Sequence, residues 1–259
     1  MPESIEVELY RRLADRAVGR RVVGVDAPDA WYLKGGLTAD GLAAAVIGRT
    51  VTAARRIGKL LLLDTDGGPT LGLRFGMTGR LVVDGEAGID RLEYSSLRLD
   101  PSWDRVRFEL TGGDLRVNDP RRLGGVLLDP DEAALGVDVF EAAPADVRRV
   151  LAGSAVALKA RLLDQRRIAG IGNLLADEAL WRAGLDPSRP SRAITPAEVR
   201  RLHHHLRATV RELTERGGSH TGDTFAARRP GATCPRDGRP MARATVGGRT
   251  TWWCPHHQR

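Results

Sequence analysis

The sequence predicts an α+β fold, in which an N-terminal helix plus β-sandwich domain precedes a helical domain and a C-terminal hairpin. Three observations predict it. Residues 20–128 contain short apolar runs separated by Gly, Asp and Pro turns, a spacing typical of a β-sandwich or barrel. Residues 147–216 carry apolar side chains at helical spacing. Two Cys-Pro turns, at Cys234 and Cys254, flank a segment centred on Gly247-Gly248 that predicts a hairpin.

The first half of the chain is predicted to contain two helices and a series of strands. A helix is expected over residues 4–18, with Ser4 as its N-cap and Gly19 at its end. A short helix is expected over residues 39–47, with Ile47 on its buried side. The predicted strands are 21–25, 50–52, 59–63, 81–83 and 106–110.

The second half is predicted to contain a linker, helices and the hairpin. Residues 129–146 are acidic, contain two prolines and are interpreted as the linker. Thr195-Pro196-Ala197-Glu198 combines an N-cap, a first-turn proline and a glutamate that reaches back to the cap. Gly217-Gly218 ends the helix that starts there. The predicted domains are 2–128, 147–222 and 223–259, with 129–146 as the linker.

The charge of the chain favours an anionic partner. There are 40 Lys+Arg against 33 Asp+Glu, a net charge of +7 and a pI near 10.2. Nearly all of the cations are arginines, whose guanidinium groups suit bidentate phosphate contacts. A solvated basic surface would have the same composition. We expect no membrane span and no secretion signal, and the two cysteines fit a reducing cytoplasm.

The first three residues could supply a nucleophile. Removal of Met1 would leave Pro2 with a free secondary amine beside Glu3. An α-amino group titrates near pKa ~7.7–8.0, so part of it is unprotonated at neutral pH. Such an amine can attack an electrophilic carbon, for example C1′ of a deoxyribose, and form an iminium adduct. Taken alone, the same three residues are more often an ordinary start.

A glycine-rich turn forms a second candidate site. Gly170 and Gly172 let the backbone approach a partner closely, and Asn173 lies where the N-cap of the next helix is expected. Backbone amides at that helix end, together with the Asn amide, would form an anion pocket suited to a DNA phosphate. A glycine turn between two core helices is an equally good interpretation.

Six stretches of the chain, in order, resemble the formamidopyrimidine-DNA glycosylase/endonuclease VIII family. They are Pro2-Glu3 with Glu6-Val7-Glu8, residues 55–62 (RRIGKLLL), Gly76-Met77-Thr78-Gly79, Asn118-Asp119-Pro120-Arg121-Arg122-Leu123-Gly124, residues 168–180 (IAGIGNLLADEAL) continuing to Gly184-Leu185-Asp186-Pro187, and residues 248–255 (GRTTWWCP). The resemblance spans essentially the whole chain. It implies a helix–two-turn–helix DNA-binding domain at 147–222 and a zinc-ribbon hairpin at 223–259.

The resemblance also implies catalytic roles. Pro2 would be the Schiff-base nucleophile, and Glu3 the acid–base group that helps to expel the base and open the sugar. Lys59 would contact a phosphate and assist β-elimination. Arg249, near the turn of the predicted hairpin, would assist δ-elimination. Without the resemblance, Glu3 would be a first-turn carboxylate, Lys59 an edge-strand lysine and Arg249 a solvated turn residue.

Five further positions are implied to contact DNA. Met77, Arg121 and Leu123 match the residues that fill the gap left by a flipped-out base. The family usually has phenylalanine at the third position, and Leu123 cannot stack in the same way. Core packing is the alternative for Met77 and Leu123. Lys159 and Asn173 are predicted to contact DNA, with a helix-surface lysine as the alternative for Lys159.

A zinc site is predicted in the hairpin. The family usually has two Cys-x-x-Cys motifs, and here each keeps one thiol, at Cys234 and Cys254. Asp237 and His257 stand at the other two ligand positions, and zinc accepts both types of donor. His256 is an alternative donor. A metal-free hairpin held by Trp252, Trp253 and Met241 is the competing interpretation.

The predicted function is bifunctional DNA glycosylase and AP lyase activity in base excision repair, on oxidised bases. We expect a monomer acting on double-stranded damaged DNA in a bacterial cytoplasm, associated with the nucleoid. One alternative is a lesion-specific DNA-binding protein with weak AP lyase activity only, and another is an RNA- or ribosome-associated basic protein. The segment 219–233 is short, and Trp103 stands where the family often has a DNA-contacting histidine, so the preferred lesion is not predicted.

Overall fold

The computed structural model describes residues 2–92 and 98–259, and the chain divides into two units, Met1–Glu132 and Ala133–Arg259. Unit 1 contains the two larger sheets, and unit 2 contains most of the helices and a C-terminal hairpin. The predicted α+β class is therefore confirmed. Among the described residues, no helix combines the length and the apolar character that a membrane crossing requires.

The described part of unit 1 has nine strands in two antiparallel sheets. In chain order the strands are β1 (Val22–Asp26), β2 (Val51–Ile57), β3 (Leu60–Thr65), β4 (Leu71–Arg74), β5 (Arg80–Val83), β6 (Glu86–Ala87), β7 (Asp104–Leu110), β8 (Gly113–Asn118) and β9 (Gly125–Leu128). One sheet has the order β1-β7-β8-β5-β6 and the other has the order β2-β3-β4-β9.

The two sheets of unit 1 share one apolar core, as in a β-sandwich. In β7, Val106, Phe108 and Leu110 are buried while the residues between them are exposed, because successive side chains of a strand point to opposite faces. Leu61 and Leu63 of β3 belong to the same core from the other sheet. The predicted sandwich is confirmed, and each predicted strand overlaps an observed one.

The described residues of unit 1 also form two α-helices, α1 (Ser4–Ala14) and α2 (Ala39–Val46). Helix α1 packs against β2, β3 and β5, so it contacts strands of both sheets. The prediction of Ser4 as N-cap was wrong: Glu3 is the N-cap and Ser4 is the first helical residue. Ile47 was also wrongly predicted, since it lies in extended backbone after α2 and is 47% exposed.

Unit 2 contains the remaining α-helices and strands. They are the helices α3 (Pro144–Leu151), α4 (Leu158–Leu162), α5 (Asn173–Ala183) and α6 (Pro196–Glu215), and the strands β10 (Val137–Asp138), β11 (Ile168–Ala169), β12 (Ala242–Val246) and β13 (Arg249–Trp253). Strands β10 and β11 form a short parallel pair. Strands β12 and β13 form the predicted hairpin, with Gly247-Gly248 at its turn.

Local signals set the ends of the longer helices in unit 2. The Thr195 hydroxyl accepts from the Glu198 amide at 3.3 Å, while the Glu198 carboxylate accepts from the Thr195 amide at 2.8 Å, which confirms the predicted capping box of α6. Gly184, in a left-handed conformation at φ +65°, ends α5. Helix α5 packs against α6 and β13, and nearly all of its side chains are buried.

Candidate active site and metal centre

The predicted nucleophile and acid–base group lie at the N-terminus of α1. Pro2 and Glu3 are both buried, and Glu3 is only 1% exposed. The Glu3 amide donates to Glu6 Oε2 at 2.7 Å, and the Glu3 carbonyl accepts from the Val7 amide at 3.0 Å. The backbone on both sides of the Glu3 side chain is therefore fixed by the first turn of the helix. The helix dipole at this end favours an ionised carboxylate and disfavours a protonated amine.

An ion pair connects α1 to the strand that leads to Lys59. Glu8 Oε2 lies 3.2 Å from Arg56 Nε, and both side chains are largely buried. Arg56 Nη1 in turn donates to the Gly58 carbonyl at 3.0 Å. Lys59 follows Gly58 in the turn between β2 and β3, so the expectation that it lies within the strand was wrong. Gly58, at φ +57°, supplies the left-handed residue of this turn, and Lys59 is partly exposed.

Met77 and the pair Arg121 and Leu123 lie in two separate loops of unit 1. Arg121 is exposed, Leu123 is 51% exposed and Met77 is partly exposed. The apolar Leu123 and Met77 are therefore not fully buried core residues, which was the alternative interpretation of both.

The glycine-rich turn before α5 is held by Gln165. Its Nε2 donates to the carbonyls of Leu163 and Ile171 at 2.8 and 2.9 Å, and its Oε1 accepts from the Gly170 amide at 2.9 Å. Gly172, which follows Ile171, is the N-cap of α5. Asn173 is the first helical residue rather than the predicted N-cap, and its side chain is partly buried.

Lys159 has an internal partner, which contradicts its predicted contact with DNA. Its side chain is 0% exposed, and Nζ lies 2.6 Å from Asp177 Oδ1. Nζ also donates to Thr251 Oγ1 at 2.8 Å and to the Thr250 carbonyl at 3.3 Å. Arg228 pairs with the other oxygen of Asp177. The short helix α4 turns Lys159 inward, toward α5 and the hairpin, rather than outward to solvent.

Arg249 is exposed and immediately follows the Gly247-Gly248 turn. The Thr251 hydroxyl, which accepts from Lys159, donates to the Arg249 carbonyl at 3.1 Å. A Cβ atom on Gly247 would lie 2.6 Å from Cβ of Ala160, so the turn is packed closely on α4. The tip of the hairpin is thus fixed to α4 from two sides, while the Arg249 guanidinium remains accessible.

The four predicted metal ligands form one cluster. The candidate ligand atoms of Cys234, Asp237, Cys254 and His257 all lie within 4.8 Å of one another. Cys234 Sγ is 3.7 Å from His257 Nδ1, and Asp237 Oδ2 is 3.4 Å from both Cys254 Sγ and His257 Nδ1. Zinc bonds of ~2.0–2.3 Å at tetrahedral angles place neighbouring ligand atoms ~3.3–3.8 Å apart. These three separations lie in that range, so the donor set is compatible with a tetrahedral ion.

Outer contacts fix the orientation of these donors. His257 Nε2 lies 3.2 Å from the Trp181 carbonyl, which leaves Nδ1 for the metal. Trp181 Nε1 donates to Cys234 Sγ at 3.2 Å, and the Arg236 amide donates to the same sulfur at 3.4 Å. His256, the alternative donor, is outside the cluster: its side chain is 56% exposed and contacts Asp237 Oδ2 at 3.1 Å.

Several residues that organise these sites were not predicted from the sequence. Asp119, Gln165 and Asp177 are polar residues whose bonds hold a loop or a hairpin in place. Asp177 offered one signal, because it is a carboxylate in a mostly apolar helix and such groups require partners when buried. Nothing in the sequence indicated the contact that Trp181 makes with Cys234.

Comparisons with known proteins agree with this fold and these sites. Residues 1–126 match the formamidopyrimidine-DNA glycosylase N-terminal domain, and residues 135–224 match the formamidopyrimidine-DNA glycosylase H2TH domain. The formamidopyrimidine-DNA glycosylase of Roseiflexus sp. is 36% identical over 100% of both chains. The one from Thermus thermophilus is 36% identical, over 98% of this chain and 97% of the relative.

Solved structures give the same result. The crystal structure of the MutM (Fpg) protein from Thermus thermophilus matches with a TM-score of 0.81 at 34% identity, covering 99% of this chain and 98% of that one. A Lactococcus lactis Fpg bound to DNA that contains N7-benzyl-Fapy-dG matches over 100% of both chains with a TM-score of 0.84, but its 23% identity supports the fold alone.

This chain belongs to the formamidopyrimidine-DNA glycosylase family. It is a DNA glycosylase of base excision repair, and AP lyase activity is typical of its family.

Proposed function

We propose that this glycosylase removes an oxidised base through the amine of Pro2 and then cleaves the strand at the resulting abasic site. One observation carries the proposal. Pro2 and a buried Glu3 stand together at the N-terminus of α1, in a chain that aligns with its family over its whole length. Relatives carry the name formamidopyrimidine-DNA glycosylase, and one solved neighbour is bound to DNA that contains Fapy-dG.

In the first step the Pro2 nitrogen attacks C1′ of the damaged nucleotide. The bond between C1′ and the base breaks, and the base leaves with the bonding electrons and takes up a proton. Glu3 acts as the acid–base group: it moves a proton as the base departs and protonates the ring oxygen as the C1′–O4′ bond opens. The alkylated Pro2 nitrogen loses its N–H proton to a base, and the lone pair that this restores forms the iminium bond between Pro2 and C1′ as the C1′–O4′ bond breaks.

Strand cleavage follows from the iminium. It acidifies the protons on C2′, and the loss of one of them expels the 3′ phosphate by β-elimination. We assign Lys59 to the phosphate contact and proton transfer of this step, and Arg249 to the following δ-elimination. The exposure of Arg249 and the fixed backbone of its hairpin support this assignment. Hydrolysis of the final adduct regenerates the free amine of Pro2.

We assign the remaining DNA contacts to the exposed loop residues and to the N-terminus of α5. Met77 and Leu123 would enter the gap left by the extruded base, and Arg121 would hydrogen-bond the base that has lost its partner. Asn173 and the first amides of α5 would bind a phosphate. Lys159 is left out of this set because it is buried against Asp177. We expect the active form to be a monomer on damaged duplex DNA.

We propose that Cys234, Asp237, Cys254 and His257 hold a structural zinc ion. The distances between their ligand atoms and the bond from His257 to the Trp181 carbonyl support a tetrahedral metal. When bound, the ion would cross-link the two ends of the hairpin, and it takes no part in the reaction. An aspartate in place of a cysteine makes the donor set harder, so we expect weaker zinc affinity than for four thiolates.

Borohydride trapping on duplex DNA with an abasic site tests the proposal. We expect the purified protein, after removal of Met1, to form a covalent adduct with the DNA. Pro2→Gly should abolish or strongly reduce that adduct, and Glu3→Gln should strongly reduce base excision on duplexes with oxidised purines or pyrimidines. Tight DNA binding without any adduct would instead identify a lesion-binding protein without catalysis.

A further inference from the structure

We infer that Asp119 is a positioning residue that joins two loops of unit 1, so that Met77 and Arg121 approach DNA as one preorganised element. The 76–79 loop carries Met77, and the 119–124 loop carries Arg121 and Leu123. The inference rests on the DNA contacts proposed above for these side chains. It assigns a role to Asp119 and Thr78, which need not touch DNA themselves.

Both carboxylate oxygens of Asp119 are used, and the residue is 0% exposed. Oδ1 accepts from Thr78 Oγ1 at 2.6 Å and from the Arg121 amide at 3.2 Å. Oδ2 accepts from the amides of Leu123 and Gly124 at 3.0 and 3.1 Å. One buried carboxylate therefore binds the backbone of its own loop at three points and the side chain of the other loop at a fourth. Bonds to an ionised acceptor in a dry site are short and strong.

The two loops also meet through their backbones. Gly76 has φ +56°, and a Cβ atom there would lie 2.4 Å from the Leu123 carbonyl carbon and 2.7 Å from the Gly124 amide nitrogen. Only glycine permits this approach. Arg122, at φ +55°, is one of the few non-glycine residues in a left-handed conformation, and its guanidinium makes two 2.6 Å bonds to Asp29.

One end of each loop is hydrogen-bonded to the rest of unit 1. Tyr10 of α1 donates to the Gly79 carbonyl at 3.0 Å, and Arg105 of β7 donates to the Asp119 carbonyl at 2.8 Å. Burial, and then the Asp119 carboxylate, raise the pKa of Tyr32 well above its ordinary value, so its hydroxyl stays neutral beside this loop.

An element that inserts into DNA requires loops whose ends are fixed to the protein and whose tips are exposed. Extruding a base costs a few kcal/mol. Inserted side chains offset part of that cost only if they are already ordered in the free protein, because ordering them during insertion would itself cost free energy. The Asp119 bonds order the backbones of Arg121 and Leu123 in the free protein, while their side chains remain exposed. The loops would then enter the duplex together rather than independently.

The Thr78 hydroxyl provides the cleanest test. Thr78→Val removes the bond between the loops and keeps the side-chain shape, and Thr78→Ser keeps the hydroxyl. Thr70→Val is the matched control, because Thr70 Oγ1 donates to Asp64 Oδ1 at 2.9 Å elsewhere in the same unit. The fluorescence of 2-aminopurine placed opposite a stable abasic-site analogue measures insertion, and hydrogen exchange at the amides of the 119–124 loop measures the coupling in the free protein.

We expect Thr78→Val to slow the 2-aminopurine response and base excision from duplex DNA by about tenfold, the size expected for losing a hydrogen bond to a charged acceptor. Exchange in the 119–124 loop should accelerate. Borohydride trapping on single-stranded abasic DNA, which has no opposing base, should change little, and Thr78→Ser should behave like wild type. Equal slowing on single and double strands, or equal effects of Thr70→Val, would overturn the inference.

The two proposals fail in different ways. If wild-type protein gives no adduct, the amine mechanism is wrong, whereas the 2-aminopurine and exchange measurements, which need no catalysis, still decide whether the loops are coupled. If wild type traps normally and Thr78→Val changes neither the fluorescence response nor the exchange of the 119–124 loop, the coupling is wrong and the proposed function stands.

Discussion

At the scale of single residues, the carboxylate of Glu198, at the start of α6, makes the stability of unit 2 depend on pH in acid. Glu198 accepts from Arg189 Nη2 and Nη1 at 2.7 and 2.8 Å and from the Thr195 amide at 2.8 Å. These bonds, the one to Arg189 first, lower the pKa of Glu198 from 4.5 to about 2. Because the folded pKa lies below the unfolded one, the stabilisation is present above pH 4.5 and is lost as the pH falls through about 2.

We therefore expect Glu198→Gln to lower the free energy of unfolding at neutral pH by about 1–2 kcal/mol, less than the full pKa shift implies because solvent screens the partly exposed Arg189. The loss should shrink as the pH falls below about 5 and disappear near about 2. Urea unfolding followed by circular dichroism across this range measures it. Glu215→Gln, at an exposed position of the same helix, is the control. A difference that stays constant with pH would contradict the assignment.

At the scale of elements, one face of α5 connects three features. Asn173, Asp177 and Trp181 are spaced four residues apart, so they lie along the same side of the helix. Asn173 begins the helix at the candidate phosphate site, Asp177 pairs with Lys159 and Arg228, and Trp181 donates to Cys234. The candidate phosphate site, the base of the Arg249 hairpin and the candidate metal centre therefore all contact the same helix, α5.

The buried pair of Lys159 and Asp177 yields a prediction about this support. We expect Lys159→Met to cost about 3–5 kcal/mol of unfolding free energy, because it leaves Asp177 buried without one of its two cations. It should also weaken δ-elimination, since Lys159 bonds to Thr250 and Thr251 beside Arg249. Thermal or urea unfolding and product analysis on abasic duplex DNA measure the two effects.

The control for this variant is Arg149→Met. Arg149 forms an ion pair with Asp146 on the surface, with 72% of its side chain exposed, so we expect a loss of at most about 1 kcal/mol. The salt dependence of DNA binding distinguishes the buried role of Lys159 from the DNA contact predicted for it from the sequence, if that contact is to a phosphate. A lost phosphate contact would reduce the slope of log K against log salt by about 1, and we expect no such reduction for Lys159→Met.

Sequence prediction succeeded where the signal is local and failed where it depends on distant partners. The alternation in β7 and the capping box at Thr195 are complete within a few residues, and both are confirmed. The orientation of Lys159 depends on Asp177 in another helix and on a hairpin about 90 residues further along, so helical spacing could not reveal it. Helix starts were misplaced by one residue, at Ser4 and Asn173, because several neighbours could serve as caps.

At the scale of the whole molecule, the predicted functional residues are divided between the two units. Pro2, Glu3, Lys59 and the 76–79 and 119–124 loops belong to unit 1, whereas Asn173, Arg249 and the candidate metal ligands belong to unit 2. The four candidate metal ligands all lie within the last 26 residues, 234–259. Loss of a metal should therefore affect the hairpin first and leave the sandwich of unit 1 folded.

We expect purified protein to contain about one zinc ion per chain, and chelation to unfold the hairpin locally, because binding free energy at such a site is also folding free energy. Metal analysis tests the first part, and less than about a tenth of an equivalent in unchelated buffer would contradict zinc. Hydrogen exchange tests the second: after chelation, protection should fall in residues 234–259 and remain in β3 and β7.

His257→Ala should lose the metal, whereas His256→Ala, which changes the exposed neighbour outside the cluster, should retain it. Equal metal content in both variants would show that His257 is not a ligand. If chelation also exposed the sandwich strands, the metal would stabilise more of the chain than the position of its ligands indicates.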